Sequence, residues 1–481
     1  MFWSLTEHLG NQGLRFVISI FLARLLLPAD FGLVAMLGVF LALADSLIDS
    51  GFGTALIQRK DLTHQDECSV FYCNIATGAA LAAVVSVAAP WIAAFFNAPQ
   101  LTAIARVYSI DMIISSFGIV QRNLLSRNLN FRTQAKITLW TTPLAGVVAI
   151  GLAYAGWGVW SLVAQTLLRS AITQIQLWSV CKWRPAWTFS VSSLRKLFSF
   201  GSRILAMGII DTVFRNIYTI VIGRLFSAAD LGFYGRADST QQLPVLTLSR
   251  VIRRVTLPVF SAIQDDQERL RQATRRVLRM LAFLTFPMMA GIAVTARPLV
   301  LVLFTEKWAP CIPFLQLLAL QGILYPLHSV NINVLLAQGH SRLCLRIEVI
   351  KKMLTTVAIF VTFPFGILGL ICGQLIQSPI AYFLNSYYTG KLLGYSSRMQ
   401  LRDCVPYGAA SLIMAGSVYA LQLMQWNSHL ASLVVQVVVG AVVYAVVCYA
   451  LRLSACLEAL SMLTAWWRNW PPSQLAAAPK S

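Results

Sequence analysis

Arg15–Gly32 reads RFVISIFLARLLLPADFG, and two hundred positions later Arg215–Gly232 reads RNIYTIVIGRLFSAADLG, without a gap. Arg15, Ile20, Arg24, Leu25, Ala29, Asp30 and Gly32 recur as Arg215, Ile220, Arg224, Leu225, Ala229, Asp230 and Gly232. Most other pairs are apolar for apolar. An apolar run that keeps two arginines and then a small-Asp-x-Gly turn is a specific pattern. Its recurrence marks an internal duplication.

The rest of the chain has the same character. Of its 481 residues, 57% are hydrophobic and 12% charged, and the mean hydropathy is +0.68. A soluble domain carries roughly 25% charged residues. Apolar runs long enough to cross a hydrocarbon core of about 30 Å recur from end to end. The composition therefore implies an all-α polytopic membrane protein with about fourteen transmembrane helices. A membrane barrel is excluded, because its strands would alternate polar and apolar over about 10 residues. No cleavable signal peptide is evident after Met1. The nine cysteines show no CxxC spacing and fall mostly in apolar runs, as free buried thiols do.

The spans sort into lobes. Residues 1–181 hold six spans, the fourth continuous over about 101–121. Residues 182–199 form a Pro-, Ser- and Trp-containing linker, and 200–390 hold six more spans. Within these, the segment around 231–252 is the least apolar, with Arg236, Asp238, Gln241 and Gln242. Residues 391–451 add two spans, and 452–481 form a tail with a Trp-rich amphipathic piece and a Pro/Ala end. With both termini cytoplasmic, the great majority of the 38 Lys and Arg fall on the inner face. Only Arg297 and Lys307 are left for the outer face, a strong positive-inside asymmetry. The net charge of +20 thus reflects topology rather than nucleic-acid binding. The two copies of the repeat are separated by an even number of spans and run in the same direction. Their lobes are expected to be related by an axis along the membrane normal, as in parallel-repeat transporters.

No enzyme signature appears: the chain lacks GxxxxGK[ST], HExxH, GxSxG and any spaced Cys/His cluster. No metal or cofactor is implied, so energy must come from an ion gradient, a substrate gradient or a partner. The remaining signal is intramembrane charge, which usually faces a cavity or a partner. It comprises Arg15, Arg24, Asp45, Asp49, Arg106, Asp111, Arg169, Asp211, Arg215, Arg224, Arg236 and Asp238. The excess of Arg suits an anionic, phosphate-bearing cargo. Arg15, Arg24, Arg106, Arg215, Arg224 and Arg236 are candidates for a substrate cavity, with Asn331 and Asn333 as candidate sugar contacts. Asp45, Asp49, Asp111 and Asp211 are candidates for coupling to a proton or sodium ion. Each has an alternative. Arg24 and Arg224 lie near a span end, where they can snorkel. Arg15 and Arg24 fall on opposite faces of a straight helix. Asp45 and Asp49, one turn apart, equally suit interhelical bonds, as do Asn331 and Asn333. Asp30 and Asp230 suit helix capping.

Several stretches resemble the Wzx-type polysaccharide flippases of the multidrug/oligosaccharidyl-lipid/polysaccharide superfamily, near the colanic-acid-exporter branch. They are LARLLLPADFGLVAM (22–36), FSAIQDDQERLRQATRRVLR (260–279), TEKWAP (305–310), NINVLLAQG (331–339), EVIKK (348–352) and YYTGKLLGYS (387–396). There are two departures. Almost no basic segment precedes Phe2-Trp3-Ser4, and Thr305 stands where the family often has Gly. The resemblance implies a bacterial inner-membrane flippase. It would move an undecaprenyl-pyrophosphate-linked oligosaccharide from the cytoplasmic to the periplasmic leaflet by alternating access, for surface polysaccharide assembly. The lipid-linked oligosaccharide, the lipid bilayer and other polysaccharide-assembly membrane proteins would be its partners.

Rival readings are a multidrug exporter or a peptidoglycan-precursor flippase of the same superfamily, and a membrane polysaccharide polymerase or ligase. The Arg excess disfavours cationic drugs. The motifs fit a peptidoglycan-precursor flippase less well. The outer loops are too short for the catalytic loop of a polymerase.

Overall fold

The structure is a computed structural model that describes residues 2–49, 52–53, 56, 61–424 and 426–468. Ser50, Gly51, most of the loop to Lys60 and the Pro/Ala end of the tail lie outside the described residues. Among the described residues every regular element is helical.

The chain clusters into two compact units: Met1–Arg236 with Leu303–Cys311, and Ala237–Val302 with Ile312–Ser481. The first holds α1 (Phe2–Leu25), α2 (Pro28–Asp49), α3 (His64–Phe95), α4 (Leu101–Tyr108), α5 (Ile110–Ser116), α6 (Ile119–Arg127), α7 (Phe131–Tyr154), α8 (Val159–Val180), α9 (Val191–Arg215) and α10 (Ile217–Leu225). Helix α11 (Ala228–Ala262) runs across the division. The second unit holds α12 (Gln267–Val294), most of α13 (Ala296–Phe304), α14 (Cys311–Gly322), α15 (Tyr325–Ala337), α16 (Ser341–Thr362), α17 (Gly366–Leu393), α18 (Ser397–Gln422), α19 (His429–Ala450) and α20 (Ser454–Arg468).

The contacts divide the chain at Arg236/Ala237, and the 182–199 segment lies within the first unit. The physical reason is that α9 packs on α2 and α3, and α10 on α2. The segment itself is irregular only to Ser190, whose side chain accepts from Ser193 N–H to start α9. Its irregular part is tied to the first unit. Trp183 Nε1 donates to Glu67 at 2.7 Å, and Tyr72 donates its hydroxyl proton to the Ala186 carbonyl at 3.2 Å.

The two copies of the repeat build the same turn. Helices α1 and α10 end at Leu25 and Leu225, and α2 and α11 restart at Pro28 and Ala228. Leu27 N–H donates to Asp30 Oδ2 at 3.0 Å, and Ser227 N–H donates to Asp230 Oδ2 at 3.2 Å. Ser227 completes a reciprocal capping box, its Oγ accepting from Asp230 N–H at 3.1 Å. Asp30 and Asp230 do cap, but from inside the first turn, because the helices begin earlier than the polar boundary implies. Pro28, whose missing N–H is no loss there, sits at the first helical position.

The turns also meet. A Cβ on Gly32 would lie 1.7 Å from the Ala228 carbonyl oxygen, and one on Gly232 would lie 2.0 Å from that of Pro28. The contact is reciprocal, as across a local two-fold axis. Beyond it the copies diverge. Helix α1 is continuous, whereas its counterpart breaks at Asn216, with a 46° bend between 205–215 and 217–225. Asn216 Nδ2 donates to the Thr212 carbonyl at 2.8 Å, competing with the helical ladder.

Residues 101–127 are not one helix either. The chain breaks at Ser109 and at Phe117-Gly118, bending by 41° at the second break. Ser109 and Ser116 bond back to the Arg106 and Ile113 carbonyls, each at 2.7 Å. Among the described residues eight helical segments are long and apolar enough to cross a membrane, or ten if each bent pair is one span. One of these, Ser341–Leu393, is 53 residues long and is two helices, α16 and α17. A short 3-10 turn and Gly366 at φ 76° join them. The shortfall from about fourteen reflects polar side chains in α1, α8 and α11, which lower their hydropathy.

Each unit has its own core. In the first, Ile18, Leu22 and Leu26 of α1 pack on Ala149 and Ala153 of α7. Close approach there uses Gly146, whose Cβ would meet Ile18 Cδ1 at 2.4 Å. In the second, Leu278, Leu281 and Phe286 of α12 pack with Leu327, Val330 and Val334 of α15, Tyr382 of α17 and Tyr407 of α18. Large apolar side chains such as Trp140, Phe360, Leu412 and Val446 stay exposed, as expected of helices that face lipid.

Gly32→Ala and Gly232→Ala should each force a methyl group into a backbone carbonyl. Each should destabilise the purified protein by at least about 1–3 kcal/mol, seen as a lower midpoint of thermal unfolding in detergent. Gly38→Ala and Gly235→Ala, on the same two helices with open space at the Cβ position, should be neutral or mildly stabilising.

Candidate functional site

A polar cavity of the first unit has a volume of about 430 Å³ and lies among α1, α2, α5, α6, α7 and α8. Asp45 and Asp49 reach it from the last two turns of α2, and Asp111 from the first turn of α5. Arg122 and Asn123 come from α6, Arg169 and Ser170 from α8, and Asn11 from α1. Asp111 lies just after the break at Ser109, and Arg122 just after the break at Phe117-Gly118. Irregular backbone at membrane depth is tolerated where it is buried in protein or lines such a cavity.

The groups are held closely. Asp111 is buried, bonds to the Ser170 hydroxyl and leaves Oδ1 without a partner. Asp49 accepts from Gly53 N–H and faces the Asn123 side chain across the cavity. That approach needs glycine, because a Cβ on Gly53 would lie 2.4 Å from Asp49 Oδ1. Asn11 is fixed by the Thr142 hydroxyl at 2.9 Å. Three carboxylates and two guanidinium groups thus face one space inside an apolar bundle. Such a site can hold a small cation among the carboxylates, or an anion on the guanidinium groups once the carboxylates are neutralised.

Of the sequence candidates, Asp45, Asp49 and Asp111 come together here. Asp211 does not: it pairs with Arg215 one turn away, and both are exposed. Arg15 and Arg106 are exposed on α1 and α4. Arg24 Nε donates to the Leu303 carbonyl at 2.9 Å, and Arg224 lies over the Phe95 ring at 5.3 Å. Arg236 is buried beneath Phe31, Phe304 and Trp308, with its guanidinium carbon 4.6, 4.9 and 5.2 Å from their ring centres. Its Nη1 donates to Ser19 at 3.1 Å. Asn331 exchanges hydrogen bonds with Gln400 of α18, each at 3.1 Å, and Asn333 donates to Thr256 of α11 at 3.1 Å. These two asparagines tie helices together in the second unit.

The cavity also uses residues that sequence reasoning placed elsewhere. Arg122 lies just past the fourth span expected over about 101–121, and Asn11 and Asn123 carry no charge to mark them. The available signal was the polar stripe of Arg169, Ser170, Thr173 and Gln174 on α8, facing Thr138, Thr141 and Thr142 on α7.

Leu303–Cys311 closes over the end of α1. Trp308, fully buried, donates its indole N–H to the Ala23 carbonyl at 2.8 Å, and Lys307 Nζ donates to that of Arg24 at 2.7 Å. These satisfy carbonyls that a helix end leaves open. The hairpin turns at Thr305, which has φ 77° and ψ 174°, a conformation suited to glycine.

A family model described as polysaccharide biosynthesis protein matches residues 21–313. The chain belongs to the polysaccharide biosynthesis protein family. Within this family it is 28% identical to the succinoglycan biosynthesis transport protein ExoT of Rhizobium meliloti (strain 1021), over 92% of this chain and 90% of that one. It is 28% identical to the lipopolysaccharide biosynthesis protein WzxC of Escherichia coli (strain K12), over 79% of each. It is 32% identical to the teichuronic acid biosynthesis protein TuaB of Bacillus subtilis (strain 168), and there the match spans 62% of each chain. Among solved structures, the lipid II flippase MurJ in an inward closed conformation matches with a TM-score of 0.77 at 12% identity, over 94% of this chain and 99% of that one. An inward-facing multidrug resistance MATE family transporter of the MOP superfamily matches with 0.56 at 18% identity, over 82% and 96%. The family member described here therefore has the fold of multi-pass membrane transporters, and its relatives carry the names of transport and biosynthesis proteins rather than of catalysts.

Thr305→Gly should relieve the strained turn and raise stability by about 1 kcal/mol, read as a higher unfolding midpoint. Asn331→Leu should lower stability by about 1–3 kcal/mol, because one buried Gln400 amide N–H loses its acceptor while the amide keeps its bonds to Tyr382 and Tyr395. Transport per folded molecule should stay unchanged, as befits a tie between helices.

Proposed function

We propose that the protein flips an undecaprenyl-pyrophosphate-linked oligosaccharide across the bacterial inner membrane by alternating access, for surface polysaccharide assembly. The observation that carries this reading is the cavity of Asp45, Asp49, Asp111, Arg122 and Arg169 inside a bundle of the flippase fold. Both termini are cytoplasmic in this reading, and the cavity lies in the cytoplasmic half. It is lined from the first half of α1, the carboxy-terminal end of α2, the second half of α8 and the basic segment after α5.

Coupling follows from charge. With all groups ionised the cavity carries three negative and two positive charges, and the carboxylates compete for the guanidinium groups. A proton or sodium ion taken up by the carboxylates frees Arg122 and Arg169 for the pyrophosphate. Each ligand then favours the other by an equal free energy. Other polysaccharide-assembly membrane proteins would supply and consume the lipid-linked glycan. The multidrug alternative draws on the same carboxylates, but two guanidinium groups beside them oppose a cationic drug.

Reconstitution in liposomes with lipid-linked oligosaccharide tests the proposal. Leaflet transfer should exceed that of empty vesicles and should rise with an imposed proton or sodium gradient. Asp111→Asn should remove the gradient dependence, and Arg169→Gln should reduce transfer at least about tenfold through lost charge-assisted contacts. Correctly folded protein that transfers none of several glycan donors would sink the flippase reading. Gradient dependence that survives Asp111→Asn would sink the coupling site.

A further inference from the structure

A second pocket, of about 300 Å³, lies in the second unit, far along the chain from the cavity above. It is lined by Gln272, Arg275, Arg276 and Arg279 of α12 and by Ser454 and Glu458 of α20. The α12 residues are spaced at i, i+3, i+4 and i+7, so they form one stripe on the polar first turns of that helix. Ser454 and Glu458 are one turn apart at the start of α20. A water takes about 30 Å³ of liquid, so the pocket has room for a substituted phosphate group.

The stripe is held from behind. Asp403 of α18, its side chain 8% exposed, accepts from Arg275 Nε at 2.6 Å and Nη2 at 2.8 Å, and from Arg279 Nη2 at 2.6 Å. Tyr395 donates to the same carboxylate at 2.7 Å. Arg276 Nε donates to Glu458 at 2.8 Å, and its side chain is 61% exposed. Ala455 N–H donates to the Tyr407 hydroxyl at 3.2 Å, which fixes the first turn of α20. Each guanidinium group is thus positioned by part of its donor fork and keeps further N–H groups over. Among the described residues these have no other hydrogen-bonding partner. Three guanidinium groups against two carboxylates leave a net positive charge. The amino terminus of α20 adds a favourable dipole.

The setting identifies the ligand. Helix α20 directly follows the apolar helix α19 and is amphipathic. It exposes Leu457 and Leu460 away from the pocket while Ser454 and Glu458 face it. A helix with one apolar and one polar face at the end of a span belongs in the headgroup region of a bilayer. A phosphate presented there comes with a lipid, and preformed forks of guanidinium donors bind phosphate oxygens.

We propose that this pocket binds the phosphate of an anionic phospholipid headgroup. Arg276 and the spare donors of Arg275 and Arg279 hold the phosphate oxygens, and Glu458 tunes affinity by competing for Arg276. The acyl chains remain in the adjoining leaflet.

Thermal unfolding of the full chain in detergent, titrated with phosphatidylglycerol, phosphatidylcholine, soluble glycerophosphoglycerol or inorganic phosphate, tests the assignment. Phosphatidylglycerol should raise the midpoint in a saturable way, and phosphatidylcholine should not. Arg276→Gln should weaken the apparent affinity about tenfold, the loss expected for a charge-assisted pair. Glu458→Gln should strengthen it severalfold while removing the same ion pair. A purely structural Arg276–Glu458 tie would instead lower the midpoint in both variants and leave the lipid response alone. Equal responses to the two lipids, or the same affinity in wild type and Arg276→Gln, would overturn the site. Inorganic phosphate acting at concentrations as low as the lipid would overturn the lipid assignment and leave free phosphate as the ligand.

Discussion

Where Pro28–Gly32 crosses Ala228–Gly232, the space a side chain would take beside each glycine is filled by the other copy's carbonyl oxygen. Two helix starts can approach this closely only if both positions lack a Cβ. Both turns must also be rigid, which the Asp30 and Asp230 caps provide. The first unit is built around this contact. It fixes the carboxy-terminal end of α1 next to the start of α11, and so brings Ser19 and Phe31 to Arg236. The hairpin at Leu303–Cys311 then covers the same corner, and Trp308 satisfies a carbonyl at the end of α1. In an apolar solvent each open backbone group costs several kcal/mol, so helix ends at membrane depth must be sealed by protein. One glycine pair thus determines where the sealing groups must stand.

The same rule separates the two ways in which the first unit handles charge. Arg236 is enclosed by three aromatic faces and one hydroxyl, an arrangement that stabilises the cation by ring quadrupoles and leaves no open space for a ligand. Arg122 and Arg169 instead line an open cavity with carboxylates and neutral amides. A buried charge in a closed box holds helices in place. A charge beside water-sized space can exchange partners. The helix breaks at Ser109 and Phe117-Gly118 lie in the wall of that space, just before Asp111 and Arg122.

Much of the architecture was legible in the sequence because it depends on local chemistry. The repeat marks both turns and their capping carboxylates, and the apolar runs mark a membrane bundle. Side-chain facing was less legible. Of the repeated arginines, Arg24 bonds to the hairpin, Arg215 pairs with Asp211 and Arg224 lies on Phe95. Their identity suggested a site, but packing from distant segments decides where each points. Asn331 and Asn333 illustrate the same limit: whether an amide meets a sugar or a neighbouring helix depends on Gln400 and Thr256, far along the chain. The Asp45/Asp49/Asp111 cluster was half visible. Its carboxylates and Arg169 stand out in the sequence as intramembrane charge, but Arg122, just past the fourth span expected over about 101–121, does not. Thr305, a departure from the pattern that the sequence resembles, occupies a positive-φ turn.

The two polar pockets use arginine in opposite ways because their surroundings differ. In the first unit the carboxylates outnumber the guanidinium groups inside an apolar bundle, where an unbalanced charge is costly. The favourable state is therefore the one in which a cation or an anion restores balance, and binding of either changes the affinity for the other. At the α12–α20 pocket the excess is positive and the guanidinium groups are partly open to solvent. Asp403 holds two of them in place without using all their donors. Such a site can keep a resident phosphate without needing a second ligand. A transporter in which charge must change during the cycle requires the first arrangement, and one that must stay docked at the headgroup layer requires the second. The two pockets lie in separate units, so in the proposed cycle an exchange of charge in one would not require release of a lipid at the other.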